Sequence, residues 1–279
     1  MLKIKNTIIN VLLISFICFF AATSQIKAAA GDLDSTFAAT GFTDANTQSV
    51  VTVQADGKIL IGGGFTAVNG FPVGGIARLN ADSSLDTTFN SGGSGLSLGV
   101  SIIALQPDGK ILIGGGFSSF NGTNRGRIAR LNSTGTLDTT FVPPSGGFSS
   151  QVRGIALQTD GKIIVIGDFS TYGGASAIRV ARLNSDGTLD TTFSTGTSAN
   201  NTISAVAIQP DGNIVIGGNF TSYNGTAINR VARILGSGGS AGQIDSTFIV
   251  GTGANSAVSD VDIDASGGII IAGDRKSVV

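Results

Sequence analysis

The chain has 279 residues, 42 of them glycine, one Cys and no His or Trp, and its seventeen Lys and Arg nearly balance eighteen acidic residues, all of them Asp. These counts exclude a disulfide framework, a His general base and most transition-metal sites. They also leave no basic stripe of the kind a nucleic-acid binder needs.

Residues 1–30 read as a secretory leader. Lys3 and Lys5 give a basic start, residues 8–22 form an apolar run, and Ala28-Ala29-Ala30 is a small-residue cleavage site before Gly31. The run is short for a membrane span of about 20 residues, and Cys18 falls inside it. Cleavage near Ala30 is therefore expected, with a secreted or cell-surface destination and no membrane span in the mature chain. Loss of Lys3, Lys5 and Lys27 leaves fourteen basic residues against eighteen Asp, a net charge of −4.

Residues 31–37 end in Leu33-Asp34-Ser35-Thr36-Phe37, a strand-like segment that recurs downstream with partners and here has none before it. Then a repeat begins. Asp56-Gly57-Lys58, Asp108-Gly109-Lys110, Asp160-Gly161-Lys162 and Asp211-Gly212-Asn213 recur every 51 or 52 residues. Phe89, Phe141, Phe193 and Phe248 close an L-D-x-T-F or I-D-x-T-F segment in each unit, and Arg78, Arg130, Arg182 and Arg233 mark a third position. Fixed self-similarity of this kind is read before secondary structure.

The units span about 48–89, 100–141, 150–193 and 202–248, with a partial unit at 257–273. Each reads as two hairpins. In the second unit 101–106 and 110–115 flank Pro107-Asp108-Gly109, a turn whose last position favours positive φ. Segments 127–132 and 136–141 flank Ser133-Thr134-Gly135. The first unit has Ser83 where the turn calls for Gly, which predicts a turn that is strained or differently built. Counting outward from the second turn sets Leu183 opposite Leu189 and Arg182 opposite Asp190. The same count pairs Arg78 with Asp86 and Arg130 with Asp138, one Arg–Asp rung per unit. The fourth unit carries an insertion at 236–242 that lengthens its hairpin.

The first two strands of each unit are continuously apolar, so both faces should be buried. Four-stranded antiparallel units of about 52 residues with buried inner strands predict an all-β fold, a β-propeller with one blade per unit. The unpartnered strand at 31–37 and the two-strand unit at 257–273 predict a propeller incomplete toward the C-terminus. The tail 274–279 matches nothing in the repeat and reads like one frame of a short-read sequencing adapter.

The motifs Q-P-D-G-K-I-L-I-G-G-G-F at 106–117, A-R-L-N at 129–132 and G-T-L-D-T-T-F at 135–141 resemble the delta-60 repeat family of secreted bacterial proteins. The resemblance recurs over 31–273. It implies a β-propeller-like fold in an exported or cell-surface protein. It implies no activity and no binding residues.

Three sets of residues invite a functional reading. Asn184, Asp186 and Asp190 cluster oxygens as a calcium loop would; turn chemistry, with Asp190 held by Arg182, is the competing reading. The G-G-G-F segments lack the helix start and Lys of a phosphate loop, so close packing of strands accounts for them. Phe120, Tyr172 and Tyr223 sit in loops where aromatic rings could stack on sugars or pack the loop. No catalytic residue emerges. The expectation is therefore an exported, non-catalytic propeller with a structural or adhesion-type role and no cofactor. Its partner would be a surface protein or glycan rather than nucleic acid. The alternatives are a glycan- or calcium-binding module and a carboxylate-based polysaccharide hydrolase or lyase.

Overall fold

The computed structural model describes residues 41–43 and 50–273. The expected leader at 1–30, the segment 31–37 and the tail 274–279 lie outside the described residues. Everything described is strand, turn or loop, without a helix.

Each blade opens with an antiparallel hairpin. In the second blade Val100–Leu105 pairs with Ile111–Gly115. Gly109, at φ 81°, closes the turn. Gln106 N donates to Lys110 O at 2.9 Å, and Asp108 Oδ1 accepts from Lys110 N at 3.1 Å. The side chain thus stabilises the turn that its backbone makes. A third strand, Ile128–Leu131, pairs with the other edge of Ile111–Gly115. The same three-stranded sheet recurs as Val50–Val53, Ile59–Gly62 and Ile76–Leu79 in the first blade. It recurs as Val152–Leu157, Ile163–Gly167 and Val180–Leu183 in the third, and as Ile203–Ile208, Ile214–Gly218 and Val231–Ile234 in the fourth. The fifth unit holds two strands, Val258–Ile263 and Ile269–Gly273.

The expected fourth strand is reduced to one bridge per blade: Leu79 with Leu85, Leu131 with Leu137, Leu183 with Leu189 and Ile234 with Ile244. The next residue explains why. Asp138 Oδ1 accepts from Thr140 N at 2.9 Å and Thr140 Oγ1 at 2.7 Å. An Asp that bonds the backbone two residues on offers the chain a turn in place of a ladder. Between the second and third strands each of the four blades carries a small hairpin, such as Thr171–Tyr172 with Ala175–Ser176. The chain entering that blade adds one more bridge, as Phe148 does to Tyr172.

The first strands of consecutive blades pack against one another, which places them innermost. The core lies between blades rather than within them. One cluster joins Leu112 and Ile128 of the second blade to Phe148, Val152, Ile163 and Val165 of the third. Middle strands are buried on both faces, as their unbroken apolar runs predict. In the two-stranded fifth unit Ile270 and Ile271 are exposed, whereas their counterparts Leu112 and Ile113 are fully buried.

Blade-to-blade approach is set by residue size at one position. Val100 of the second blade packs where a Cβ on Gly62 would stand, and Val152 of the third does the same at Gly114. In the third blade the sizes are exchanged. Ile166 occupies the place of Gly114, and its cross-strand partner is Gly154 where the second blade has Ile102.

Candidate functional site

The repeated polar residues converge on one arrangement. Arg130 Nε donates to Asp138 Oδ2 at 2.7 Å, and Nη2 donates to Thr140 Oγ1 at 3.1 Å. The guanidinium lies 5.0 Å from the centroid of the Phe141 ring. Its remaining arm, Nη1, donates across the blade boundary to Ser185 O. Arg78 does the same with Asp86 (2.9 Å), Phe89 (4.7 Å) and Ser133 O (2.6 Å). Arg182 does so with Asp190 (2.7 Å), Phe193 (4.7 Å) and Gly236 O (2.6 Å). Arg233 keeps Asp245 (2.8 Å) and Phe248 (4.8 Å) but turns Nη1 to Gln209 Oε1 at 3.3 Å within its own blade. A planar fork with several donors and a stacking face suits this triple duty, and a Lys could not perform it.

Sequence reasoning missed one member of the cluster. Lys58, Lys110 and Lys162 reach Asp86, Asp138 and Asp190 through Nζ at 2.6, 2.9 and 2.5 Å. The signal was present in the turn triplet, since the fourth unit has Asn213 in place of Lys. Burial alone would raise the three carboxyls. The donors around them outweigh it: Lys58, Thr88 and Arg78 at Asp86, Thr140, Lys110 and Arg130 at Asp138, and Lys162, Thr192 and Arg182 at Asp190. All three are held well below the usual carboxylate range. Asp245 is lowered too, first by the Thr247 hydroxyl and then, against burial, by Arg233.

The calcium candidates are not assembled. Asp186 Oδ1 accepts from Thr188 N and Oγ1, and Asn184 Nδ2 donates to Thr188 Oγ1. Asp190 turns its carboxylate to Arg182 and Lys162 instead of toward that loop. Among the described residues no group of three or more His, Cys, Asp or Glu could hold a metal ion.

The sugar-stacking reading of Phe120, Tyr172 and Tyr223 is overturned, because all three rings are buried. Phe148 lies against Tyr172 with ring centroids 4.3 Å apart. Tyr172 Oη donates to Gly187 O at 2.6 Å and Tyr223 Oη to Gly242 O at 2.8 Å. A ring needs an apolar bed and its hydroxyl an acceptor, and the fold supplies both internally. Burial also pushes both phenols up from their ordinary range.

What remains is where the blades differ. A cleft of about 720 Å³ opens where the first three blades meet, between the loops after Gly62 and before Val100. Arg153, Gln151 and Leu98 are among the residues that line it. Arg153 occupies the second position of its inner strand, where the second, fourth and fifth units have Ser101, Ser204 and Ser259. It meets Asp168, through Nε at 2.9 Å and Nη2 at 2.7 Å, where the first two blades have Gly64 and Gly116. Gln151 Nε2 donates to Ser101 Oγ of the second blade at 2.8 Å. Leu98 is 64% exposed and stands where the next connections have Ser150 and Asn201.

Comparison with known proteins agrees with this architecture. A family model described as a domain of unknown function (DUF5122) beta-propeller matches residues 54–89, 106–141, 158–193 and 209–248. No curated protein matches the chain. Among solved structures, the WD40 beta propeller domain of Doa1 is 16% identical, with a TM-score of 0.52, over 80% of this chain and 59% of its own. A gluconolactonase from Xanthomonas campestris is 14% identical with a TM-score of 0.49, over 80% of this chain and 68% of its own. An extracellular domain of a one-component system from B. thetaiotaomicron is 15% identical with a TM-score of 0.48, over 83% of this chain and 27% of its own. The chain thus spans less than two thirds of the Doa1 and B. thetaiotaomicron chains. At such identity the Doa1 likeness speaks for the fold alone. The four matched segments fall one in each full blade, each beginning just after the blade's first strand, and together cover more than half of the 279 residues, so the chain belongs to the DUF5122 beta-propeller family.

Proposed function

We propose that the protein is an exported, non-catalytic β-propeller of the delta-60 type, serving as a structural or interaction module at the cell surface. One observation carries this reading. The polar residues repeated through the chain are spent on joining blade to blade, as Arg130 is with Asp138, Phe141 and Ser185 O. Among the described residues every carboxylate pulled away from its ordinary value is pulled down, Asp82 and Asp186 included. A hydrolytic acid needs the opposite, a carboxyl raised toward neutrality. Among the described residues no helix is long and apolar enough to cross a membrane. The leader at 1–30 supports export.

Two assays test the reading together. Fractionation with N-terminal sequencing should find the protein outside the cytoplasm, beginning at or near Gly31. Incubation with a polysaccharide panel should release no product. Turnover that a single Asp substitution abolishes would overturn the non-catalytic reading, and cytoplasmic retention of an intact leader would overturn export.

A further inference from the structure

We propose that the cleft walled by Leu98, Gln151 and Arg153 binds a neutral oligosaccharide. The proposal rests on the non-catalytic reading above and adds a ligand class to it.

In a repeat protein, residues that the fold requires recur in every unit. Residues that depart from the repeat need another reason. Some departures have one in packing, such as the Gly154 and Ile166 exchange. Gly99, which also borders the cleft, is another: a Cβ there would stand 3.0 Å from Gly63 O. Leu98, Arg153 and Asp168 have no such account. Leu98 has Ser150 and Asn201 as counterparts, Arg153 has Ser101 and Ser204, and Asp168 has the uncharged Gly116 and Asn219, in neighbouring blades that fold the same way. Leu98 and Arg153 line one cleft, and Asp168 is tied to it through its ion pair with Arg153.

The chemistry of the set selects the ligand. Arg153 and Asp168 form an ion pair with both side chains about one-third exposed, at 33% and 31%. Their charges cancel, so an anion would meet Asp168 and a cation would meet Arg153. A neutral polyhydroxylated ring suits both. Adjacent hydroxyls accept from the guanidinium and donate to the carboxylate, and charge-assisted bonds of this kind are stronger than neutral ones. Leu98 offers an apolar surface for the C–H face of a sugar ring, and its 64% exposure is unexplained by packing. Gln151, fixed by its bond to Ser101 Oγ at 2.8 Å, adds a further polar group on the same wall. A volume of about 720 Å³ falls within the range of about 300–1,000 Å³ typical of small-molecule sites.

The test uses calorimetry and a printed glycan array. The probes are trimers to hexamers of neutral β- and α-linked glucose, xylose and mannose, with oligogalacturonate as the acidic arm. The variants restore the repeat's own residues: Arg153→Ser, Asp168→Gly and Leu98→Ser. Because other blades carry those residues at the same places, folding should survive, and an unchanged Tm checks it. The expected result is binding of at least one neutral oligosaccharide, weakened ten-fold or more by Arg153→Ser and by Asp168→Gly. Ser204→Ala, at the matching place in the fourth blade, should leave it unchanged. No binding to any neutral probe, binding only to the acidic arm, or equal binding by wild type and Arg153→Ser would each overturn the proposal. Chromatography of the bound sugar separates it from the non-catalytic reading: cleavage would sink that reading while leaving the site, and absence of binding would do the reverse.

Discussion

Gly154 stands opposite Ile166 in the third blade, where the second blade sets Ile102 opposite Gly114. The large and small residues have traded strands across one rung. A Cβ on Gly154 would come within 2.8 Å of Ile166 Cγ1. Gly154→Ile alone should therefore overpack the site by about 1–3 kcal/mol. Ile166→Gly alone should leave a cavity and cost about 3–5 kcal/mol. The double variant rebuilds the second blade's arrangement and should be more stable than the sum of the single changes by about 1–3 kcal/mol. Urea unfolding of the three variants checks this, and strict additivity would show that the rung is not shared.

Asp138 holds Arg130 and Lys110 at once, with only 5% of its side chain exposed. Asp138→Ala leaves two cations facing each other in a half-dry site, and should cost about 3–5 kcal/mol. Arg130→Ala in the same background should add much less than it does alone. A double-mutant cycle by thermal melting measures the coupling. No coupling would count against the Arg–Asp rung as a source of stability.

Ser83 sits at φ 68°, where the equivalent Gly135 and Gly187 sit at 83° and 90°. Ser83→Gly should relieve the left-handed backbone and stabilise the fold by about 0.5–1 kcal/mol. The reverse change in the next blade has the opposite sign. A Cβ on Gly135 would lie 2.6 Å from Asn90 N and 2.8 Å from Phe89 Cδ2. Gly135→Ser should thus destabilise by about 1–3 kcal/mol. Equal effects of the two changes on Tm would contradict the turn assignment.

The depressed carboxyls fix the acid response. Asp86, Asp138 and Asp190 bind protons less readily when folded than when unfolded. Their stabilisation is therefore complete above the unfolded value of about 3.9. It is lost as pH falls below that value toward the depressed folded ones. With no His in the chain, Tm should stay nearly flat between about pH 5 and 8 and then fall steeply. Asp138→Asn should make the acid limb shallower. A wild-type Tm that declines between pH 8 and 6 would show that another group governs stability.

The repeat made much of this fold legible from sequence. Turn triplets such as Asp108-Gly109-Lys110 fixed the first hairpin, and the spacing of Arg182 and Asp190 gave a register consistent with the Leu183–Leu189 bridge. The fourth strand was misjudged because the Thr140 bonds to Asp138 depend on a local turn that apolar patterning does not reveal. Lys110 was read as a turn residue, since its reach to Asp138 is a contact across 28 positions. The aromatic positions were ambiguous for a related reason. Tyr172 lies in a polar stretch, and the Phe148 ring against it comes from a segment that sequence does not place beside it. The cleft was invisible until the blades were superposed in space, although Arg153 already broke the pattern of Ser101, Ser204 and Ser259.

Arg78, Arg130 and Arg182 each fasten their own blade to the next. Amide hydrogen exchange on Arg130→Lys tests this central claim most directly, because Lys keeps the charge but lacks the fork. Val142 N, which donates to Asp186 O across the same seam at 2.9 Å, should lose protection. The middle-strand amides of Ile111–Gly115 should keep theirs. Unchanged protection at Val142, or uniform acceleration throughout the chain, would contradict the claim.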